Sequence, residues 1–204
     1  MKLLHIDSSI LGAYSVSRIL SSEIVAQQVA RHPGIDVIYR DLSVDPALHL
    51  SGAHMAVWQG GSVEDAALGE DLKTGGEYLA EVTAADVIVI GAPMYNFSVP
   101  SQLKAWIDRI VVAGQTFKYS ETGELQTLLP LSKKIFIAST RGNTYDPGTP
   151  KAALEHHETY LTGVFSFLGL NDVTVIRAEG LAFGPDAKDA AIAKARTDIA
   201  AIAA

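Results

Sequence analysis

Three short stretches of this chain carry residue types from which a site for a small polar ligand can be built. The first is Ser8-Ser9-Ile10-Leu11-Gly12-Ala13-Tyr14-Ser15-Val16-Ser17, which gathers four hydroxyls and Tyr14 just ahead of a helical stretch. A helix start leaves its first N–H groups without acceptors and carries the positive end of the helix dipole, so hydroxyls placed there suit a phosphate. The local alternative makes Ser15 an N-cap and the other serines plain loop residues. The second stretch, Ala92-Pro93-Met94-Tyr95-Asn96-Phe97-Ser98-Val99-Pro100, sets two aromatics and an amide on a turn between two prolines. Aromatic faces can cover a flat ring, while Asn96 and backbone groups can bond a heterocycle's edge. A loop that merely packs on its neighbours is the alternative. The third is Ser139-Thr140-Arg141-Gly142-Asn143-Thr144-Tyr145. Gly142 permits close backbone approach and Asn143 tolerates positive φ, although Arg-Gly-Asn is also an ordinary turn.

Missing motifs narrow the ligand. The serine loop holds no Gly-x-Gly-x-x-Gly and no Gly-Lys-Ser/Thr, so neither a dinucleotide pyrophosphate cradle nor a triphosphate loop is expected. It has no cysteine to act as a phosphatase nucleophile. The third apolar run ends in Gly91-Ala92, without an aspartate to receive a phosphoryl group. A hydroxyl-lined loop around one terminal phosphate fits best. Of the six histidines, His156 and His157 are adjacent and so cannot share a helix face, and His5 stands alone, so no metal site is expected. Glu64, Asp65, Glu70 and Asp71 read as a solvated helix surface.

The elements that must position these loops follow from hydrophobic periodicity. Leu3–Asp7, Val37–Tyr39, Val87–Gly91, Ile135–Ala138 and Val173–Ile176 read as strands, several continuously apolar as strands covered on both faces should be. Helical spacing marks Val16, Leu20 and Ile24 with Val25 and Val29. It also marks Leu103, Trp106, Ile107 and Ile110 with Pro100 in the first turn, then Leu154, Leu161, Phe165 and Leu168, and finally Ile192, Ala195, Ile199 and Ile202. A further stripe, Leu68, Leu72, Leu79 and Val82, is interrupted by Gly75-Gly76, read as close packing or a kink. Five βα units in series predict an α/β fold: a doubly wound, five-stranded parallel sheet in the flavodoxin-like order 2-1-3-4-5. Segment 116–130 breaks the alternation and reads as a hairpin excursion turning at Glu121-Thr122-Gly123-Glu124. In such a sheet ligands lie beyond the carboxyl ends of the strands at the switch in strand order, and the three loops converge there.

The 204 residues suit one domain over 1–204, large enough to bury roughly 70% of its unfolded surface. Sixteen basic against 23 acidic residues give a net charge of −7, which argues against nucleic acid and acidic membranes as partners. The complete lack of cysteine excludes disulfides, thiolate nucleophiles, Fe–S clusters and Cys-ligated zinc. The opening apolar run is cut by His5 and Asp7, unlike a signal-peptide core, and Val87–Ala92 is far shorter than the roughly 18 residues of a membrane span. A soluble, cytoplasmic protein is the expectation.

Over nearly its whole length the chain resembles the FMN-dependent NADH:azoreductases, within the flavodoxin-like quinone-reductase superfamily. The resemblance rests on Ser-Ser-Ile-Leu at 8–11, Tyr-Ser-x-Ser at 14–17, Ala-Pro-Met-Tyr-Asn-Phe at 92–97, Gln102-Leu103-Lys104, Gly114 through Thr116-Phe117-x-Tyr119, and Arg141-Gly142. It implies tightly bound FMN, its phosphate held by Ser9, Ser15, Val16 and Ser17. Met94, Tyr95, Asn96 and Phe97 would border the isoalloxazine, and Thr140, Arg141, Gly142 and Asn143 would close its pyrimidine side. The family often has a second glycine where this chain has Asn143. The resemblance further implies a homodimer with both sites at the interface, bringing aromatics such as Tyr119, Phe165 and Phe167 toward flavin or substrate, although Phe165 also fits the core stripe.

The activity so implied is a ping-pong transfer of hydride from NADH through the flavin to quinone, azo or nitroaromatic acceptors, with azo bonds cleaved to amines. No side chain need serve as nucleophile or general acid. Arg141 either stabilises negative charge on the reduced ring or forms a structural ion pair. Two rival readings are a flavodoxin-type electron carrier without turnover and a flavin-free phosphate binder; the excursion at 116–130 favours the enzyme over the carrier.

Overall fold

The β-branched runs fold as strands in the computed structural model, which describes residues 1–63 and 65–202. The strands are β1 (Lys2–Asp7), β2 (Asp36–Asp41), β3 (Val87–Pro93), β4 (Phe117–Tyr119), β5 (Leu125–Thr127), β6 (Lys134–Thr140) and β7 (Val173–Ala178). Five of them pair in parallel in the order β2-β1-β3-β6-β7, the order predicted from the sequence. The connecting helices are α1 (Val16–Arg31), α2 (Gly52–Trp58), α3 (Ala66–Ala84), α4 (Ser101–Ile110), α5 (Glu158–Phe167) and α6 (Pro185–Ala200).

Alternation along the strands divides the core in two. Leu4, Ile6, Ile88, Ile90, Ile135 and Ile137 face the layer containing Tyr78, Trp106 and Phe165, from α3, α4 and α5. Leu3, Val87, Val89, Phe136, Ala138 and Ile176 face Leu20, Ile24, Ala195 and Ile199, from α1 and α6. β3 is buried at all seven positions, as a central strand sandwiched between helices must be.

Several expected stripes shift by a residue. Val29 is exposed, and Gln28 takes the inward position on α1. Pro100 is the N-cap of α4 rather than part of its first turn. Leu154 is exposed in a 3-10 turn outside α5. The short helix α2 lacks a sequence stripe and was not anticipated. α3 runs unbroken through Gly75-Gly76, and its buried face is Leu68, Asp71, Gly75, Tyr78 and Val82, with Leu72 and Leu79 at its margins. Gly75 is a close-packing glycine: a Cβ there would come within 2.9 Å of Arg109 Cδ.

Asp71, expected in solvent, is instead buried at the centre of an ion pair. Arg109 Nη2 donates to Asp71 Oδ2 at 2.6 Å and to the Leu48 carbonyl at 2.8 Å, while His54 Nε2 lies 2.9 Å from the same carboxylate. Leu48 N donates to Asp71 Oδ1, so one carboxylate ties the segment before α2 to α3 and α4. Asp65 caps α3 through Ala67 N, and Glu70 is exposed beside Lys73. Glu64 lies outside the described residues.

The 116–130 excursion forms as expected, with Phe117 opposite Thr127 and Tyr119 opposite Leu125. Its root is fixed. Thr116 Oγ1 donates to the Ile110 carbonyl at 2.8 Å and accepts from Val112 N, and Leu128 N donates to the Thr116 carbonyl. Phe117 packs edge-on against Phe167 with ring centroids 4.8 Å apart. Where the chain leaves α5, Gly169 has φ 77°, and a Cβ there would come 2.7 Å from Thr127 Cγ2.

Gly91 lies where α1 passes close against the sheet. It pairs in register with Asp7, and a Cβ would overlap Asp7 Oδ1 and come within 3.1 Å of Ser21 Oγ and 3.2 Å of the Ser17 carbonyl. Gly91→Ala is therefore expected to destabilise the fold by about 1–3 kcal/mol, the usual range for overpacking. Urea denaturation of variant and parent checks this; an unchanged midpoint would show that α1 has room to move.

Candidate functional site

The strand order places the ends of β1, β3 and β6 side by side, and hydrogen bonds weld their loops together. Ser8 Oγ donates to the Gly91 carbonyl at 2.8 Å, so Ser8 serves the junction of the first two loops rather than a ligand. Tyr95 OH lies 3.1 Å from Ser9 Oγ and accepts from Ile10 N at 3.2 Å. Met94 N donates to the Thr140 carbonyl at 2.7 Å, joining the second loop to the third.

In the first loop, Ser15 caps α1: its Oγ accepts from Arg18 N at 3.4 Å and shares a 2.9 Å hydrogen bond with Ser17 Oγ. The capping and ligand-binding readings of this serine are thus compatible. Ser9, Ser15, Val16 and Ser17 are all buried, yet the amides of Val16 and Ser17 find no acceptor among the described residues. Ile10, Leu11 and Tyr14 are exposed beside them. The loop is held by a residue that sequence reasoning missed. Arg18 donates to the Ser9 carbonyl through Nη2 at 2.8 Å and Nε at 3.2 Å, and forms a two-pronged pair with Asp41 at 2.6 Å per bond. Hydrogen bonds from Arg18 and Ser43 hold the Asp41 carboxyl down to about 2 against the effect of burial. The signal was present as an arginine in the first turn of α1 and an aspartate closing β2, two neighbours in the predicted strand order.

The second loop is a two-residue hairpin turn. Tyr95 N donates to the Ser98 carbonyl at 2.9 Å and Ser98 N to the Tyr95 carbonyl at 3.1 Å, with Asn96 at φ 47° and Phe97 at φ 74°. Both central residues are left-handed, the pattern for which Asn-Gly is the favoured pair. Asparagine tolerates this conformation. Phenylalanine there stores strain on the order of 1–3 kcal/mol. The amides of Asn96 and Phe97 have no acceptors among the described residues, and the Phe97 ring is exposed.

In the third loop the amides of Gly142 and Asn143 are likewise without acceptors among the described residues. Asn143 is not left-handed, contrary to the reading of its tolerance for positive φ; its Oδ1 instead accepts from Thr144 N and Lys151 Nζ. The Arg141 side chain is 4% exposed and points into a cluster of carboxylates, 3.2 Å from Glu179, 3.4 Å from Glu158 and 3.6 Å from Glu155. Of the two readings of this arginine, its surroundings favour the structural ion pair. Thr140 is buried and contributes its carbonyl to the weld with Met94.

The three aromatics expected near a substrate are not alike. Tyr119 is exposed on the hairpin, and Phe167 is half-buried against Phe117. Phe165 is fully buried in the α4–α5 core, a correction to its expected place in a substrate pocket: on α5 it occupies the inward stripe with Leu161.

Serine hydroxyls beside unpaired helix-start amides, an exposed aromatic turn with two free amides, and two more free amides on the third loop make a donor set for one anion and the carbonyl edge of a flat heterocycle. These residues fit a flavin mononucleotide.

The chain belongs to the family with a flavodoxin-like fold, whose model matches residues 1–203. A protein of Rhizobium meliloti (strain 1021), an FMN-dependent NADH:quinone oxidoreductase, is 52% identical over 200 residues, covering 98% of this chain and 96% of the relative. One of the same name from Methylorubrum extorquens (strain PA1) is 50% identical over 204 residues, covering both chains completely. Among solved structures, an azoreductase from Bacillus anthracis str. Sterne superimposes with a TM-score of 0.85 at 25% identity, covering 98% of this chain and 97% of that one.

Behind the site, His157 precedes α5 with its ring fully buried and both ring nitrogens unpartnered among the described residues. Burial drives its pKa down to about 4, against the opposing pull of Glu158 and Glu155. Between pH 6.5 and 4 the unfolded chain thus takes up a proton that the folded chain refuses, so stability is full above pH 6.5 and falls with falling pH. The parent is expected to lose about 2–3 kcal/mol by this route between pH 7 and pH 4.5, and His157→Leu to escape that loss. Denaturant titrations at the two pH values check it, and parallel losses in parent and variant would refute it.

Proposed function

We propose that the chain is an FMN-dependent oxidoreductase that takes hydride from NADH and reduces quinones and azo compounds, the latter to amines, in a ping-pong cycle. The carrying observation is the whole-length relation, at about half identity, to FMN-dependent NADH:quinone oxidoreductases in a chain with a matching donor set at its sheet edge. Such relatives turn substrates over, which favours the enzyme over the electron carrier and the flavin-free phosphate binder.

When bound, FMN supplies a ring that can accept a hydride from one partner and yield it to the next. The protein's part is to bind, orient and shield. Ser9, Ser15, Val16 and Ser17 hold the phosphate through hydroxyls and the two free amides of α1, aided by the helix dipole. Met94, Tyr95, Asn96 and Phe97 border the ring, and the amides of the left-handed pair serve its edge. Thr140, Arg141, Gly142 and Asn143 form the opposite rim, where the amides of Gly142 and Asn143 can bond carbonyl oxygens. Arg141, committed to its carboxylates, sets the course of that rim. The donors are backbone amides and serine hydroxyls, and no side chain need gain or lose a proton.

The further reading is a single FMN-binding domain over 1–204 that works in the cytoplasm as a homodimer. Each copy would cover the open face of the other's ring, with Phe97 and Tyr119 nearby. Nitroaromatics join quinones and azo compounds as acceptors. Among the described residues no helix is long and apolar enough to cross a membrane.

The test is direct. Purified protein is expected to be yellow, to bleach rapidly on anaerobic mixing with NADH, and to recover colour on addition of a quinone or azo dye. A carrier would retain colour without direct reduction by NADH, and a flavin-free binder would be colourless and reject FMN. Ser15→Ala/Ser17→Ala removes hydrogen bonds to a charged group worth about 1.5–3 kcal/mol each, so FMN affinity should fall at least about tenfold and colour should be lost on desalting. Fluorescence titration of FMN measures it, and an unchanged affinity would refute the placing of the phosphate.

A further inference from the structure

The strained turn is pinned from outside its own loop. His156 N donates to the Phe97 carbonyl at 3.0 Å, and Ser98 Oγ donates to the His156 carbonyl at 3.1 Å. A backbone held in a left-handed conformation by a phenylalanine persists only where its surroundings over-determine it, and these two bonds are such a constraint. They are as rigid as the segment that supplies them.

That segment is organised by one carboxylate. Glu155 Oε1 accepts from His157 N at 3.0 Å and from Glu158 N at 2.7 Å, and Oε2 accepts from Thr159 N at 3.1 Å and from the Thr159 hydroxyl. His157, the nominal N-cap of α5, provides no capping bond from its own side chain. Glu155 does that work from two residues upstream and freezes the backbone on both sides of His156. Its Oε1 also lies 3.6 Å from Arg141 Nη1, the arginine of the third loop. Glu158, its neighbour, lies 3.4 Å from Arg141 as well, but its hydrogen bonds go to Ser139 and Arg177. Glu155 therefore touches both the support of the strained turn and, through Arg141, the rim carrying the Gly142 and Asn143 amides.

We infer that Glu155 is a positioning residue for the cofactor ring, fixing the Asn96–Phe97 turn and the Arg141–Asn143 rim relative to each other. The inference rests on the FMN reading above and extends it to a residue that does not itself border the ring. Removing the carboxylate frees residues 156–159, lets the turn relax and blurs the position of four donor amides. Because the oxidised and reduced rings use those donors differently, their relative affinities change.

The experiment uses the FMN-loaded full chain of the parent and of Glu155→Ala, Glu155→Gln and Glu155→Asp. It reads visible circular dichroism, the two-electron midpoint potential and the thermal midpoint. Glu155→Ala is expected to retain FMN, with altered visible dichroism and a potential displaced by about 30 mV, the equivalent of a tenfold change in the ratio of the two affinities. Glu155→Asp, which can still accept from the amides of His157 and Glu158, should restore the parent's spectrum and potential. Glu155→Gln, with one acceptor oxygen, should fall between. Ser98→Ala cuts only the Ser98–His156 bond and leaves the α5 cap intact. It should reproduce part of the spectral change at an unchanged thermal midpoint, and it decides the matter if Glu155→Ala is insoluble. A lowered thermal midpoint in Glu155→Ala with dichroism and potential equal to the parent's overturns the inference and reduces Glu155 to a helix cap. Unaltered dichroism and potential in Ser98→Ala overturn it equally. A parent that binds no FMN instead overturns the underlying reading.

Discussion

Backbone amides need acceptors, and a fold that leaves them unpaired must hold them in place by other means. At the edge of this sheet, the amides of Val16, Ser17, Asn96, Phe97, Gly142 and Asn143 lack partners among the described residues. Around each pair the chain spends ion pairs and side-chain bonds to immobilise the backbone. Arg18 and Asp41 hold the first loop, Tyr95 spans from the second to the first, and Arg141 with its glutamates supports the third. The arrangement makes sense for a ligand that brings its own acceptors, because a donor set fixed in advance loses little freedom on binding.

Much of this was legible from residue types and spacing. Parallel strands declared themselves as uninterrupted apolar runs, and five of them separated by helical stretches leave few ways to wind a sheet. Once the order is known, the loops after the first, third and fourth core strands must converge, so Ser15, Asn96 and Gly142 could be grouped without a contact map. Less visible was whatever depended on pairing between distant charges. Asp71 looked like a surface carboxylate because its partners, Arg109 and His54, are far away in sequence. Glu155 draws no notice in the sequence because it accepts from backbone amides, which leave no mark there. Phe165 misled for the opposite reason: an aromatic on a helix satisfies the core stripe and a substrate wall equally well until the face is known.

The Asn96–Phe97 turn illustrates how local strain is repaid by connection. A hairpin turn favours glycine at its second left-handed position, and this chain places a large aromatic there. What allows it is the tie from His156, itself steadied by the carboxylate of Glu155. A bulky ring on a strained but clamped turn is held in one direction, whereas the same ring on a relaxed loop would sample many.

The hairpin of β4 and β5 divides into two parts of different standing. Its root is bolted down: Thr116 bonds the end of α4, Phe117 meets Phe167, and Gly169 must lack a side chain both for its own backbone and because Thr127 lies across it. Its far end, around Glu121 to Glu124, is exposed and, among the described residues, bonds only within itself. Lengthening or re-decorating that tip disturbs neither the sheet nor the three converging loops. The molecule thus carries a built-in place where length and side chains can vary among descendants of one scaffold while everything beneath stays the same.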